Sequence, residues 1–143
     1  MAASVLLIGG CGCGAVRYEI SAAPIDPGYC HCETCRRVSG APVLAYASVP
    51  TAAFRVTRGA LRIWRSSSFG RRGFCEACGA HLTMQVDEEP DVIDVTLASL
   101  DDPSAVVPQF HIWTRSQIPW FEIADEKPRY ATNRAGTAGT AGG

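Results

Sequence analysis

The chain has no apolar stretch that approaches the roughly 20 residues a membrane-crossing helix needs. It has no excess of positive charge: 13 Lys and Arg stand against 14 Asp and Glu, for a formal charge of −1 and a pI of about 6.3. Basic groups are what hold a phosphate backbone, so nucleic acid is not an expected partner. No Lys or Arg precedes the apolar run Val5–Ile8, and that run is shorter than the 7–15-residue core of a secretory leader. Ile8-Gly9-Gly10-Cys11 looks a little like a lipoprotein cleavage site, but without those features neither leader nor anchor is expected. An even cysteine count is missing too. Seven cysteines do not suit a secreted disulfide framework, and a reducing, cytoplasmic setting is the expectation.

What the chain does contain is a globular composition, with 143 residues, 47% hydrophobic and 19% charged. That is enough for one domain with a real core. Val5–Ile8 reads as a short apolar strand and Val16–Ile20 as a half-buried one. Pro24, Pro27 and Gly28 break the pattern. Val43–Val49 is dense in strand formers. Phe54–Thr57 and Leu61–Arg65 alternate around Gly59 and read as a hairpin. Ser66–Gly73 reads as a loop or twisted strand end. Leu82–Val86 and Val92–Leu97 are further strands. Phe110–Trp113 and Trp120–Ile123 are aromatic-rich. No amphipathic helix of three turns and no internal repeat is evident. The fold class expected is mainly β, made of short antiparallel strands with little helix. Residues 1–130 form the domain, and the Gly/Ala/Thr-rich residues 131–143 read as a disordered tail.

The cysteines fall in three groups: Cys11 and Cys13, then Cys30, Cys32 and Cys35, then Cys75 and Cys78. Such close spacing suits metal knuckles better than disulfides, and thiolate is a preferred zinc ligand. Glycine after Cys11 and Cys13 lets the backbone turn tightly around an ion. Seven thiols divide into four and three, a closed tetrahedron and one with a position to spare. Spacing leaves the division open. Cys32 and Cys35 with Cys75 and Cys78 would make a zinc ribbon. Cys11 and Cys13 with Cys75 and Cys78 would leave the central trio intact and strand no single cysteine. Two zinc ions and seven thiolates would move the net charge to roughly −4. A three-thiolate zinc can still take a thiol as its fourth ligand and keep it deprotonated. Arg36 and Arg37 follow the trio and could meet a carboxylate, or form a solvated turn. His31 lies inside the trio as either a supporting proton-handling group or an ordinary hydrogen-bonded histidine. His81 reads as structural and His111 as a candidate site residue. Trp113 and Trp120 read as core rather than as substrate wall, although Trp120 is kept as a candidate contact.

The motifs Gly10-Cys11-Gly12-Cys13-Gly14, Cys30-His31-Cys32-Glu33-Thr34-Cys35-Arg36 and Phe74-Cys75-Glu76-Ala77-Cys78-Gly79 strongly resemble the glutathione-dependent formaldehyde-activating enzyme family, also called centromere protein V-like. The stretch His111–Phe121 is similar to that family's ending, so the resemblance runs from about Gly10 to Tyr130. It implies a zinc-containing β-tent fold with two zinc ions. It implies that Cys11, Cys13, Cys75 and Cys78 hold a structural zinc and that Cys30, Cys32 and Cys35 hold a catalytic one. The activity implied is that of a carbon–sulfur lyase, adding glutathione to formaldehyde to give S-hydroxymethylglutathione. Partners are then a small-molecule thiol and an aldehyde. The substrate contacts expected are Arg36, Arg37, His111 and Trp120. The competing expectation is a non-catalytic, zinc-stabilised binding module.

Overall fold

Tyr18 and Ile20 alternate with Arg17 and Glu19 along one strand, and the first pair is buried while the second is not. That alternation is what a strand with one face on a core produces. The computed structural model describes residues 4–134. Its elements are β1 (Leu7–Gly10), β2 (Arg17–Ile20), β3 (Ile25–Cys30), α1 (Glu33–Ser39), β4 (Leu44–Pro50), β5 (Phe54–Arg58), β6 (Arg62–Arg65), β7 (Gly70–Phe74), β8 (His81–Val86), β9 (Val92–Thr96) and β10 (His111–Ile112). The molecule is mainly β with one short α-helix, as the sequence implied.

Two sheets result. The smaller runs β1-β2-β5 and the larger runs β10-β3-β4-β9-β8-β7-β6. All pairings are antiparallel except β10 with β3. The principal core lies between the sheets, where Val16, Tyr18 and Ile20 meet Ala47, Val49, Ile93, Val95 and Leu97. Each such side chain stabilises the fold by roughly 1.5–3 kcal/mol on burial. The larger sheet is covered on its other face too. There Tyr46 packs with Phe110, Ile112 and the three central cysteines in a second core. Covering on both faces explains why Val43–Val49 reads as a continuous apolar run rather than an alternating one.

Four expectations needed correction. Phe54–Arg58 and Arg62–Arg65 are not a hairpin: the first pairs with β2 in the small sheet and the second with β7 in the large one. Gly59 makes the crossing. Its φ is +69°, and a Cβ there would sit 2.1 Å from the Ala15 carbonyl oxygen. Second, Pro24 lies in the break after β2 as expected, but Pro27 and Gly28 do not interrupt the chain further, since β3 runs through both with a register shift between Ile25 and Gly28. A bulge is where a strand tolerates proline. Third, Arg36 and Arg37 lie on α1, not in a turn. Fourth, Gly70–Phe74, expected largely as loop, is an interior strand between β6 and β8. Trp120–Ile123 forms no strand. Of the expected tail, Ala131 and Thr132 accept backbone hydrogen bonds from Arg115 and Trp113, and Asn133 accepts one from the Trp113 indole. Residues 135–143 lie outside the described residues.

Candidate metal centres

Cys11 and Cys13 follow β1, and Cys75 and Cys78 follow β7. Their four sulfurs lie within 4.8 Å of one another. Cys11 and Cys13 Sγ are 3.7 Å apart, and Cys13 and Cys75 Sγ are 3.8 Å apart. A tetrahedron of zinc–sulfur bonds of about 2.3 Å has an edge of about 3.8 Å. These thiols therefore already stand at the spacing zinc requires, and far beyond disulfide length. The local backbone is bent for it: Gly14 and Gly79 have φ of +82° and +80°. The Val16 N–H donates to Cys11 Sγ at 3.2 Å. Burial pushes the Cys11 thiol up, but that bond and the neighbouring thiols outweigh it and bring it down to about 6.

The second centre is built on the junction of β3 and α1. Cys30 ends the strand, Cys32 caps the helix and Cys35 lies in its first turn. The helix cap is itself a thiol: Cys32 Sγ accepts from the Cys35 N–H at 3.3 Å. Gly40, with φ of +65°, closes the other end after two turns. β10 pins the strand end, for the His31 N–H donates to the Ile112 carbonyl at 3.1 Å. Cys30, Cys32 and Cys35 are all buried, with their ligand atoms also within 4.8 Å of one another. Bonds from Cys30 and Cys35, aided by Arg72, hold the Cys32 thiol far below its usual range, while burial pushes Cys30 well up. One thiol of the three ionises readily and its neighbours resist. A dication among them is what would let all three ionise.

A chain of side chains starts at His31, which lies between Cys30 and Cys32 in sequence. His111 Nε2 lies 3.0 Å from Asp125 Oδ2, and His111 Nδ1 meets His31 Nε2 at 2.9 Å. His31 Nδ1 is buried and has no hydrogen-bond partner. Burial, then the neighbouring His111, lowers His31 to about 4, so it is neutral. The bond from His111 holds Asp125 below the usual carboxylate range.

Cavities flank this assembly. Arg36, Arg37, Gly40, Ala41, Pro42, Ile118 and Trp120 surround one of about 330 Å³. His111 lines another of about 340 Å³ with Tyr29, Phe121 and Asp125. A third, of about 420 Å³, lies against β6 and β7 and includes Val38, Trp64 and Arg72.

A family model described as glutathione-dependent formaldehyde-activating enzyme matches residues 6–116, most of the chain. The chain belongs to this family. A Halomonas elongata protein named "Putative glutathione-dependent formaldehyde-activating enzyme" is 28% identical over 128 residues, covering 83% of this chain and 82% of that protein. A crystal structure of a Rhodobacter sphaeroides protein superposes with a TM-score of 0.58 at 29% identity, covering 71% of this chain and 92% of that one.

Against this family frame, the structure groups the cysteines as four and three, with Cys11 and Cys13 beside Cys75 and Cys78. Both groups fit zinc by donor type and spacing. Arg36, Arg37 and Trp120 come to one cavity, while His111 lines a separate one. Trp120 is not core as expected, being 71% exposed. His81 is structural in the sense expected, its Nε2 donating to the Thr83 carbonyl at 2.9 Å. Sequence reasoning missed Asp125 and Arg72. Asp125 sits in an ordinary charged stretch. Arg72 carried one signal, its place three residues ahead of Cys75.

Proposed function

We propose that this chain is a zinc-dependent enzyme of the carbon–sulfur lyase type, resembling S-(hydroxymethyl)glutathione synthase, and that it brings a glutathione-like thiol to an aldehyde at Cys30, Cys32 and Cys35. The observation that carries the reading is the contrast between the two centres. Four donor atoms converge at one, while at the other no fourth Cys, His, Asp or Glu donor joins the three among the described residues. Zinc held there would supply a soft Lewis acid that favours the thiolate form of an incoming thiol.

The remaining work falls to the chain. Burial around Tyr46, Phe110 and Ile112 keeps water from the trio. Arg36 and Arg37, in the cavity that Trp120 also lines, would meet the carboxylates of a thiol peptide. In the reaction the thiol sulfur bonds to the carbonyl carbon, the C=O π bond breaks, and the oxygen takes up the proton that sulfur released. Neutral His31, between Cys30 and Cys32 in the chain and hydrogen-bonded to His111, would hold the acid or base end of that transfer. Residues 1–130 form the catalytic unit in this reading, and the reduced thiols suit a cytoplasmic setting.

Calorimetry on zinc-loaded protein tests it, with glutathione and its analogue in which serine replaces cysteine. Glutathione should bind far more tightly, and increasingly so as pH rises toward its own thiol pKa, because binding releases a proton. Equal affinity would mean that the peptide is held by its ends alone. Binding of neither would favour the non-catalytic module.

A further inference from the structure

Among the described residues Arg72 is the one arginine that is buried, at 1% exposed. A guanidinium stays charged in proteins, so enclosing it is costly unless negative charge faces it. Its Nη1 donates to Cys35 Sγ at 3.5 Å, and its Nε donates to Ser66 Oγ at 3.3 Å. Along the sheet the pairing runs Trp64, Arg72, Met84, Asp94, Ser48, so Met84 separates Arg72 from the nearest carboxylate in that row. Its Oδ1 accepts from Ser48 Oγ at 2.6 Å, and its buried Oδ2 has no hydrogen-bond partner. The Arg72 fork makes direct contact with an ionisable group at Cys35 of the trio, and its charge also acts on Asp94 across the sheet.

A simple charge count shows what this contact does. Three thiolates around a dication leave about −1, and a substrate thiolate as fourth ligand would leave about −2 in a buried place. One guanidinium against Cys35 brings these to about 0 and −1. We infer that Arg72 is the fixed counter-charge of the Cys30–Cys32–Cys35 centre: a positioning residue that holds Cys35 Sγ and lets a fourth, anionic ligand enter. The part concerning the fourth ligand rests on the function proposed above, and the part concerning the metal does not. Arg72 also lines the 420 Å³ cavity with Val38, Trp64 and Phe74.

The test compares wild type, Arg72→Gln, Arg72→Lys and the surface control Arg71→Gln, each loaded with cobalt(II) in place of zinc. Two readouts apply. Chelator competition reports affinity for the more weakly held ion, and the sulfur-to-cobalt absorption band reports glutathione binding. Loss of a partner that supports a metal ligand costs about 10–100-fold in metal affinity. Arg72→Gln should therefore lose the weaker ion at least about tenfold more easily and need correspondingly more glutathione. Arg72→Lys should fall between, because charge survives without the planar fork. Arg71→Gln should match wild type. The inference is overturned if Arg72→Gln matches wild type in both readouts, or if Gln and Lys variants are equally impaired or both unfold, since then the side chain braces the β6–β7 turn and its charge is irrelevant. A wild type whose band ignores glutathione would refute the thiol reading, while the metal competition would still decide the role of Arg72.

Discussion

At the scale of single residues, the unusual feature is how much ionisable chemistry is enclosed on one face of the large sheet. Asp94 is fully buried, and burial raises its carboxyl to about 7 against the bond from Ser48. An ordinary unfolded Asp titrates near 3.9. The native state thus holds the proton more tightly than the unfolded one. The protonated form stabilises below about pH 4, and that contribution is lost as pH rises through about 7. Asp94→Asn removes this dependence. In urea unfolding of zinc-loaded protein, the stability of the variant relative to wild type should rise between pH 4 and pH 7 by a few kcal/mol and then level off. Comparing the two proteins cancels His31 and His81, which are both lowered to about 4 and act with the opposite sign. A flat difference would mean that Asp94 is ionised throughout. Residues of this kind were poorly legible in the sequence. Cysteine advertises its chemistry by spacing, whereas Arg72, Asp94 and Asp125 are types that usually face solvent, and only the fold encloses them.

At the scale of elements, two turns do unequal jobs. The first centre brings the Cys11–Cys13 turn of the small sheet against the β7–β8 turn of the large one, so it adds a link between sheets that already share a core. The trio instead sits within a single strand–helix junction that β10 and Phe110 already pack. A structural zinc contributes about 10–16 kcal/mol of apparent binding free energy in small peptides. Cys75→Ser should therefore lose most of the folded protein, and Cys32→Ser should keep its far-UV circular dichroism while binding about one zinc fewer. Equal melting of the two would mean that the roles are divided wrongly. Gly59 supports a second expectation. Gly59→Ala places a Cβ against the Ala15 carbonyl at positive φ, and should cost at least about 2 kcal/mol by urea denaturation. Alternation made a strand legible where one face alone is buried, as in β2, and an apolar run did so in β9, which is buried on both. The false hairpin arose because alternation around a glycine says that two strands exist, not that they pair. The helix escaped notice because two turns are too few for a periodic pattern, and its cap is a cysteine rather than Ser, Thr, Asp or Asn.

At the scale of the whole molecule, the two sheets enclose one core and the second face of the larger sheet encloses another, with a metal centre at the edge of each. The grouping of the seven cysteines was half legible: spacing named the ligands and left two pairings open, and only the approach of Cys13 to Cys75 chose between them. In the proposed function the four-cysteine cluster is closed and the three-cysteine cluster can accept a thiol. X-ray absorption at the zinc edge, on protein carrying two zinc ions, measures this directly. Seven thiolates shared by two ions give about 3.5 sulfurs per zinc at about 2.3 Å. With saturating glutathione the number should rise to about 4, and with the serine analogue it should stay near 3.5. A sulfur count unmoved by glutathione would contradict the claim.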